Sequence, residues 1–338
     1  MHTLLLNSDD VRANAPIERL ITAVEAAFGA DERGDAQMPA KSYIDLPQYN
    51  GDFRSMPAYL RVRGDTTDDG EGWDAAGVKW VNVHPDNRAD HGLPTVLGTM
   101  IYSDPETAVP LAIMDGRELT MLRTGAAAAV ATDHLAVEGA DSLGIVGAGV
   151  QSYTQLNAIA AVRPIEEVVI ADADAERAAD FVEAFADRFE IRAGSIAEAA
   201  ACDVLSTVTP VESPIVDREV VGDHTHINAI GADAAGKQEL DPEILRAAKL
   251  VIDDHEQTTH SGEINVPYSE GTITDADIHA SLGEIVVDRA AGRTADDGIT
   301  VFDSTGLAIQ DVAAAHVVYT RAREQGNGTP FDLLGLAD

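Results

Sequence analysis

The sequence predicts an α/β protein in which a doubly wound parallel sheet is joined to a mixed α/β domain. Short strand-like runs at Glu167 to Ala171, Asp203 to Thr207, His226 to Ile230, Leu250 to Asp253 and Ile299 to Phe302 are mostly separated by helical patterns. That alternation is how a parallel sheet covered by helices reads. A further apolar strand, Leu143-Gly144-Ile145-Val146, runs straight into Gly147-Ala148-Gly149 and a helix that starts near Val150. Finally, 338 residues are more than one core usually supports, so two domains are expected.

Taken in order, Pro16 to Ala30 sets Leu20, Ile21, Val24 and Phe28 at helical spacing and ends near Gly29. Gly64 to Gly72, rich in Gly and Asp, reads as a surface loop. Val78 to Val83 and Pro94 to Tyr102 read as strands, which makes the first third mixed α and β. Thr120 to Val137 is Ala-rich and helical, and the change of texture at Ser142 marks the start of the parallel sheet. Leu307 to Arg323 is a helix too long to be a cap, and it reads as a return to the first domain. The expected division is therefore 1–125 with 307–338 for the mixed domain and 126–306 for the parallel one.

Composition limits the partners. With 58 acidic against 23 basic residues the formal charge is −35, which repels nucleic acid and anionic membranes. Acids are scattered from Asp9 to Asp338 with only short clusters such as Asp65 to Asp69, so the charge belongs to the whole surface. Such a surface repels itself in dilute buffer and is relieved at molar salt, where the Debye length is about 3 Å. This points to a halophilic source. Only Lys41, Lys79, Lys237 and Lys249 interrupt the use of arginine for positive charge. The single cysteine, Cys202, cannot form an internal disulfide and reads as a buried apolar residue, in keeping with a reducing cytoplasm. The N-terminus lacks the pattern of an export signal, and no run approaches the ~18 apolar residues of a membrane span.

Gly147, Gly149 and Ser152 form Gly-x-Gly-x-x-Ser between a strand and a helix, the context a dinucleotide site requires. Glycine permits the tight turn at 147, and at 149 it lets the backbone approach a pyrophosphate at the helix N-terminus. Asp172, closing the next strand, can accept from both ribose hydroxyls and would repel a 2′-phosphate, so NAD is expected over NADP. Asp174, nearby, is either an alternative ligand or a helix cap. His84 and His91 lack companions at metal-ligand spacing, so no catalytic metal is expected.

Six segments in order resemble the ornithine cyclodeaminase/mu-crystallin family: Gly51-Asp52-Phe53-Arg54-Ser55-Met56-Pro57-Ala58, Gly77 to Pro85, Ala112 to Ala126, Val146 to Gln151, Asn228 to Asp233 with Gly236-Lys237, and Phe302 to Gly306. The likeness covers nearly the whole chain, and Met38-Pro39-Ala40-Lys41-Ser42-Tyr43 with Gly51-Asp52-Phe53-Arg54 makes the archaeal alanine dehydrogenases look closest within the family. It implies a Rossmann-type NAD-binding domain, a dimerisation and substrate domain, and a homodimer. It makes Lys79 and Arg123 a cationic clamp for a substrate carboxylate, with Lys79 and Asp233 as the catalytic acid/base candidates and Lys41 and Arg54 as further cations near the substrate. Two fixed cations on the carboxylate would aim the Cα hydrogen of a 2-amino acid at the nicotinamide. To the cofactor the resemblance assigns Arg123, Thr124, Gly147, Gly149, Val150, Gln151, Asp172, Thr207, Val208, Ile230, Gly231, Ala232 and Ser304.

Arg54 stands where the cyclodeaminase branch carries a glutamate, and a cation there disfavours the side-chain ammonium of ornithine. The expected reaction is NAD-dependent, reversible oxidative deamination of L-alanine or a similar small 2-amino acid. Ornithine cyclodeamination and ketimine reduction are the enzymatic alternatives. A mu-crystallin-like cofactor-binding role is the non-enzymatic one, against which the retained Lys79, Arg123 and Asp233 argue.

Overall fold

The computed structural model describes residues 2–64 and 70–336. The loop expected at Gly64 to Gly72 and the acidic cluster at Asp65 to Asp69 therefore fall largely or wholly outside the described residues. The chain divides into two compact units, Met1–Arg123 with Leu307–Asp338, and Thr124–Gly306.

The first unit contains β1 (Thr3–Leu6), α1 (Ser8–Ala13), α2 (Ile17–Glu32), β2 (Ala36–Gln37), β3 (Ser42–Leu46), β4 (Gly51–Val62), β5 (Trp73–Val83), α3 (Asn87–His91), β6 (Val96–Ser103), β7 (Pro110–Asp115) and the start of α4 (Gly116–Leu135). Near the C-terminus α12 (Ala308–Gln325) and β16 (Thr329–Phe331) return to it. Its mixed sheet runs β16-β1-β7-β6-β5-β4-β2, with β3 also pairing β4. Side chains alternate across a strand, and the face carrying Met56, Leu60, Ala75, Lys79, Met100 and Met114 is buried. Helices α2 and α12 pack on this sheet. Leu20, Val24 and Phe28 of α2 are buried, and the helix continues past the expected stop at Gly29 to Glu32.

The 12-residue strand β4, to which the sequence pattern assigns no element, is masked by Pro57. A proline argues against an interior strand because it removes a ladder donor. Here β3 pairs with Gly51 to Ser55 and β2 with Tyr59 and Leu60, so Pro57 falls between them, where β4 has no paired neighbour on that side.

The second unit holds β8 (Ser142–Val146), α5 (Val150–Val162), β9 (Glu167–Ala171), α6 (Ala175–Phe185), β10 (Glu190–Ala193), α7 (Ile196–Ala200), β11 (Val204–Thr207), β12 (His226–Ala229), α8 (Pro242–Ala247), β13 (Lys249–Ile252), α9 (His255–Ser261), α10 (Asn265–Ser269), β14 (Ile278–Ser281), α11 (Leu282–Val286) and β15 (Thr300–Asp303). All its strands are parallel, in the order β10-β9-β8-β11-β12-β15-β13-β14. Every residue of β11, β12 and β15 is buried, as expected for strands covered on both faces. Leu143, Ile145, Val168 and Ile170 pack in one core with Leu156, Phe181 and Phe185, while Val146, Leu205, Ile227 and Val301 pack in the other with Ile244 and Leu245. This is the doubly wound sheet that the alternation predicts. The short outer strands β10 and β14 escape the sequence pattern because β10 is mostly exposed and β14 has one buried residue.

Candidate active site

In the first unit the site is built on β5, α4 and α12. Lys79 lies on the buried face of β5 with its side chain 1% exposed, and its ammonium donates to Asp311 Oδ1 at 2.8 Å and Thr120 Oγ1 at 3.0 Å. Arg123, on α4, donates from Nε to the same Asp311 oxygen at 3.0 Å and from Nη1 to Gln310 Oε1 at 3.0 Å. Two buried cations thus share one carboxylate oxygen. Asp311 Oδ2 is buried and accepts from no group among the described residues. Asp311 sits in the first turn of α12, the end of a helix where the backbone dipole favours negative charge. Burial, reinforced by Arg123 and Lys41 and opposed by Asp311, lowers the Lys79 pKa to about 7.

Arg54 shares the Lys79 face, since Arg54 pairs with Val81 and Met56 with Lys79 across β4 and β5. Its guanidinium donates to Asp52 at 2.9 and 3.1 Å and lies over the Tyr43 ring. The expectation of a second cation that repels a side-chain ammonium needs correction, because Asp52 offsets that charge. Lys41 is half-buried just ahead of β3 and close enough to Lys79 to disfavour its protonation.

In the second unit the candidate cofactor residues gather at the carboxyl ends of neighbouring parallel strands. Gly147 follows β8, Asp172 follows β9, Val208 follows β11, Ile230 follows β12 and Ser304 follows β15. The strand order reverses direction at β8, and ligands of open α/β sheets bind at such a switch point. Gly147 has φ 105°, and a Cβ there would stand 2.9 Å from Val208 O, so both conformation and space require glycine. Gly149 precedes α5 with no side-chain cap, and a Cβ added to it would meet nothing within 4 Å. The uncapped first-turn N–H groups of α5 and this open approach fit the pyrophosphate of a dinucleotide.

Val150 is exposed and Gln151 half-buried at the start of the same helix, and Thr124 is buried in α4. Thr207 and Ala232 are fully buried, and Ser304 Oγ donates to Asp253 at 3.2 Å. Asp172 bridges the turn: Oδ2 accepts from Ala148 N at 2.6 Å and Oδ1 from Asp174 N at 2.7 Å. Asp174 caps α6 through Glu176 N and Arg177 N, as its cap reading expects. Asp233, 39% exposed, accepts from Lys237 Nζ at 2.6 Å.

A family model described as ornithine cyclodeaminase/mu-crystallin matches residues 1–326. The chain belongs to that family. Alanine dehydrogenase of Archaeoglobus fulgidus is 46% identical over 330 residues, 97% of this chain and 98% of the relative. Among solved structures, an archaeal alanine dehydrogenase dimer with bound NAD is 46% identical, with TM-score 0.91 and coverage of 99% of this chain and 100% of that one. The Δ1-pyrroline-2-carboxylate reductase of Thermococcus litoralis, solved with NADH and L-proline, is 37% identical, with TM-score 0.89 and coverage of 97% and 99%.

Sequence reasoning missed Asp311, Gln310 and Thr120 around Lys79, and Lys237 beside Asp233. A signal for Asp311 was present: it is an acid inside the apolar stretch Leu307 to Val318, the same anomaly that singles out Lys79 in its strand. Among the described residues no helix is long and apolar enough to cross a membrane.

Proposed function

We propose that this NAD-dependent oxidoreductase deaminates L-alanine, or a similarly small 2-amino acid, to the 2-oxo acid and ammonium, and runs the reverse amination. The observation that carries this reading is the buried Lys79-Asp311-Arg123 cluster, in a chain 46% identical to an alanine dehydrogenase along nearly its whole length. An ammonium has three N–H donors and a guanidinium five. Asp311, Thr120 and Gln310 take two from each, leaving donors on both cations for the substrate carboxylate. A lysine with pKa about 7 is partly neutral at neutral pH, so it can accept the proton that the substrate amine must lose before its Cα yields hydride.

When bound, NAD accepts that hydride. The N–H groups at the start of α5 hold its pyrophosphate, and Asp172 faces the ribose hydroxyls and excludes a 2′-phosphate. The resulting iminium takes up water, whose proton goes to Asp233, or to Lys79 once Lys79 has released the amine proton to solvent; that proton then returns to the carbinolamine nitrogen, which leaves as ammonium and frees the 2-oxo acid. Lys41 and Arg54 line the substrate side. Thr124, Gln151, Thr207, Val208, Ile230, Gly231, Ala232 and Ser304 of the second unit line the cofactor, and Arg123 is the first unit's candidate for it. The first unit also makes a homodimer through the face of its sheet opposite Lys79, a reading supported by the dimeric state of the archaeal relative.

A second reading, reduction of a cyclic imino acid, is favoured by Asp52, which neutralises Arg54, and by the 37% identity to a pyrroline-carboxylate reductase. Absorbance of NADH in molar KCl separates the two. NADH formed from NAD and L-alanine, and lost in Lys79→Ala, is the expected result. NADH consumed with Δ1-pyrroline-2-carboxylate but not formed with alanine assigns the reductase instead, and redox-neutral proline formation from L-ornithine assigns cyclodeamination.

A further inference from the structure

Glu239 is a fully buried carboxylate that belongs to no proposed binding or catalytic group. Its Oε1 accepts from Thr209 N at 2.7 Å and Thr209 Oγ1 at 2.6 Å, and its Oε2 accepts from Gly231 N at 2.9 Å. Thr209 lies just beyond β11 and Gly231 just beyond β12, neighbouring strands whose carboxyl ends carry Thr207, Val208, Ile230, Gly231 and Ala232. One side chain therefore brackets two loops assigned to the cofactor. The loops touch: a Cβ at Gly231 would stand 2.4 Å from Thr209 O and 2.5 Å from Glu239 Cδ. Gly147 joins them on the other side, its Cβ position lying 3.0 Å from Thr209 Cγ2.

The bracket is itself held. Glu263 accepts from Glu239 N at 2.9 Å and Leu240 N at 2.6 Å, and Asp303, at the end of β15, accepts from Glu263 N at 2.8 Å and Ile264 N at 2.9 Å. Burial raises the proton affinity of all three carboxyls, and the N–H donors oppose it. A buried acid is a costly way to fill a core, where an apolar residue of similar volume serves as well or better. What an apolar residue cannot do is accept from two loops at once.

We propose that Glu239 is a positioning residue for the dinucleotide, fixing the spacing of the loops after β11 and β12 and, through Val208 and Thr209, the Gly147 turn. The proposal rests on the reading of these loops as the NAD site. Glu239→Gln has one acceptor oxygen, so its amide NH2 must face the N–H of either Thr209 or Gly231. NADH affinity, titrated by fluorescence without amino acid, is expected to weaken tenfold or more in the folded variant. The KM for amino acid at saturating NAD should stay within twofold. A merely structural role would lower the melting temperature and leave NADH affinity intact, and NADH binding within twofold of the unmodified enzyme would overturn the proposal. If Glu239→Gln does not fold, Thr209→Val keeps the backbone bond and loses only the hydroxyl bond. A two- to fivefold weaker affinity then supports the proposal and an unchanged one overturns it. An unmodified enzyme that binds no NADH sinks the cofactor reading and this inference together, whereas tight binding by both enzyme and variant sinks this inference alone.

Discussion

Asp311 governs how Lys79 behaves as a base. Burial drives the Lys79 pKa down to about 7, Arg123 and Lys41 push the same way, and Asp311 pushes back through charge and a hydrogen bond. In Asp311→Asn the opposing charge is gone, so the Lys79 pKa falls below about 7. The acidic limb of kcat for deamination, where protonated Lys79 cannot accept a proton, should then move to lower pH by about one pH unit, the equivalent of ~1.4 kcal/mol. The maximum should drop as well, because the amide oxygen that replaces Oδ1 still accepts from Arg123 Nε but no longer carries the charge that holds both cations in place. A pH series of kcat for the variant checks this, and a limb that stays in place leaves Asp311 with no part in the proton step. Lys79 was legible from sequence through the family resemblance, and its place between Val78 and Trp80 agrees with a role other than surface pairing. Its partner lies 232 residues away, and only the fold reveals which acid among 58 meets it.

At the scale of elements, the two faces of the mixed sheet do different work. One is covered by α2 and α12 and holds Lys79; on the other, Ile44 is 52%, Trp80 40% and Ile101 36% exposed, with Phe53 stacked on Trp80 at 5.2 Å. Strand alternation ensures that Trp80 points away from the face of its neighbour Lys79. A contiguous exposed apolar patch on a sheet marks a contact surface, and the proposed homodimer covers it. Trp80→Glu sets a charge in the middle of the patch. Light scattering after size exclusion in molar KCl should then give the mass of one 35.7 kDa chain where the unmodified protein gives two. A dimeric variant would move the interface elsewhere. The parallel sheet was readable almost strand by strand, since its members are continuous apolar runs between helices. The mixed sheet was not, because β4 combines Pro57 with Arg54 and Arg61, and its meaning depends on neighbours distant in the chain.

At the scale of the whole molecule, the formal charge of −35 predicts that the stability of the fold depends on salt. Some basic residues stand in pairs such as Arg163 with Asp133, Arg192 with Glu198 and Lys249 with Asp297, but with 58 acids against 23 basic residues one-to-one pairing cannot offset the acidic excess of 35. Exposed pairs such as Arg192 with Glu198 contribute roughly 0–1 kcal/mol each and cannot balance repulsion spread over the surface. Salt can. Between 0.1 and 1 M the Debye length contracts from about 10 to about 3 Å, which removes repulsion between all but adjacent charges. The melting temperature should therefore rise by more than about 5 °C over this range in KCl, the effect of roughly 2 kcal/mol on a domain of this size. The rise should flatten above 1 M, because screening saturates once the Debye length is shorter than the spacing of surface acids. A linear rise continuing through 3 M would point to exclusion of salt from apolar surface instead. A melting temperature indifferent to KCl below 1 M would mean that the acidic surface contributes no net repulsion to the folded state, and the inference of salt adaptation would fall with it.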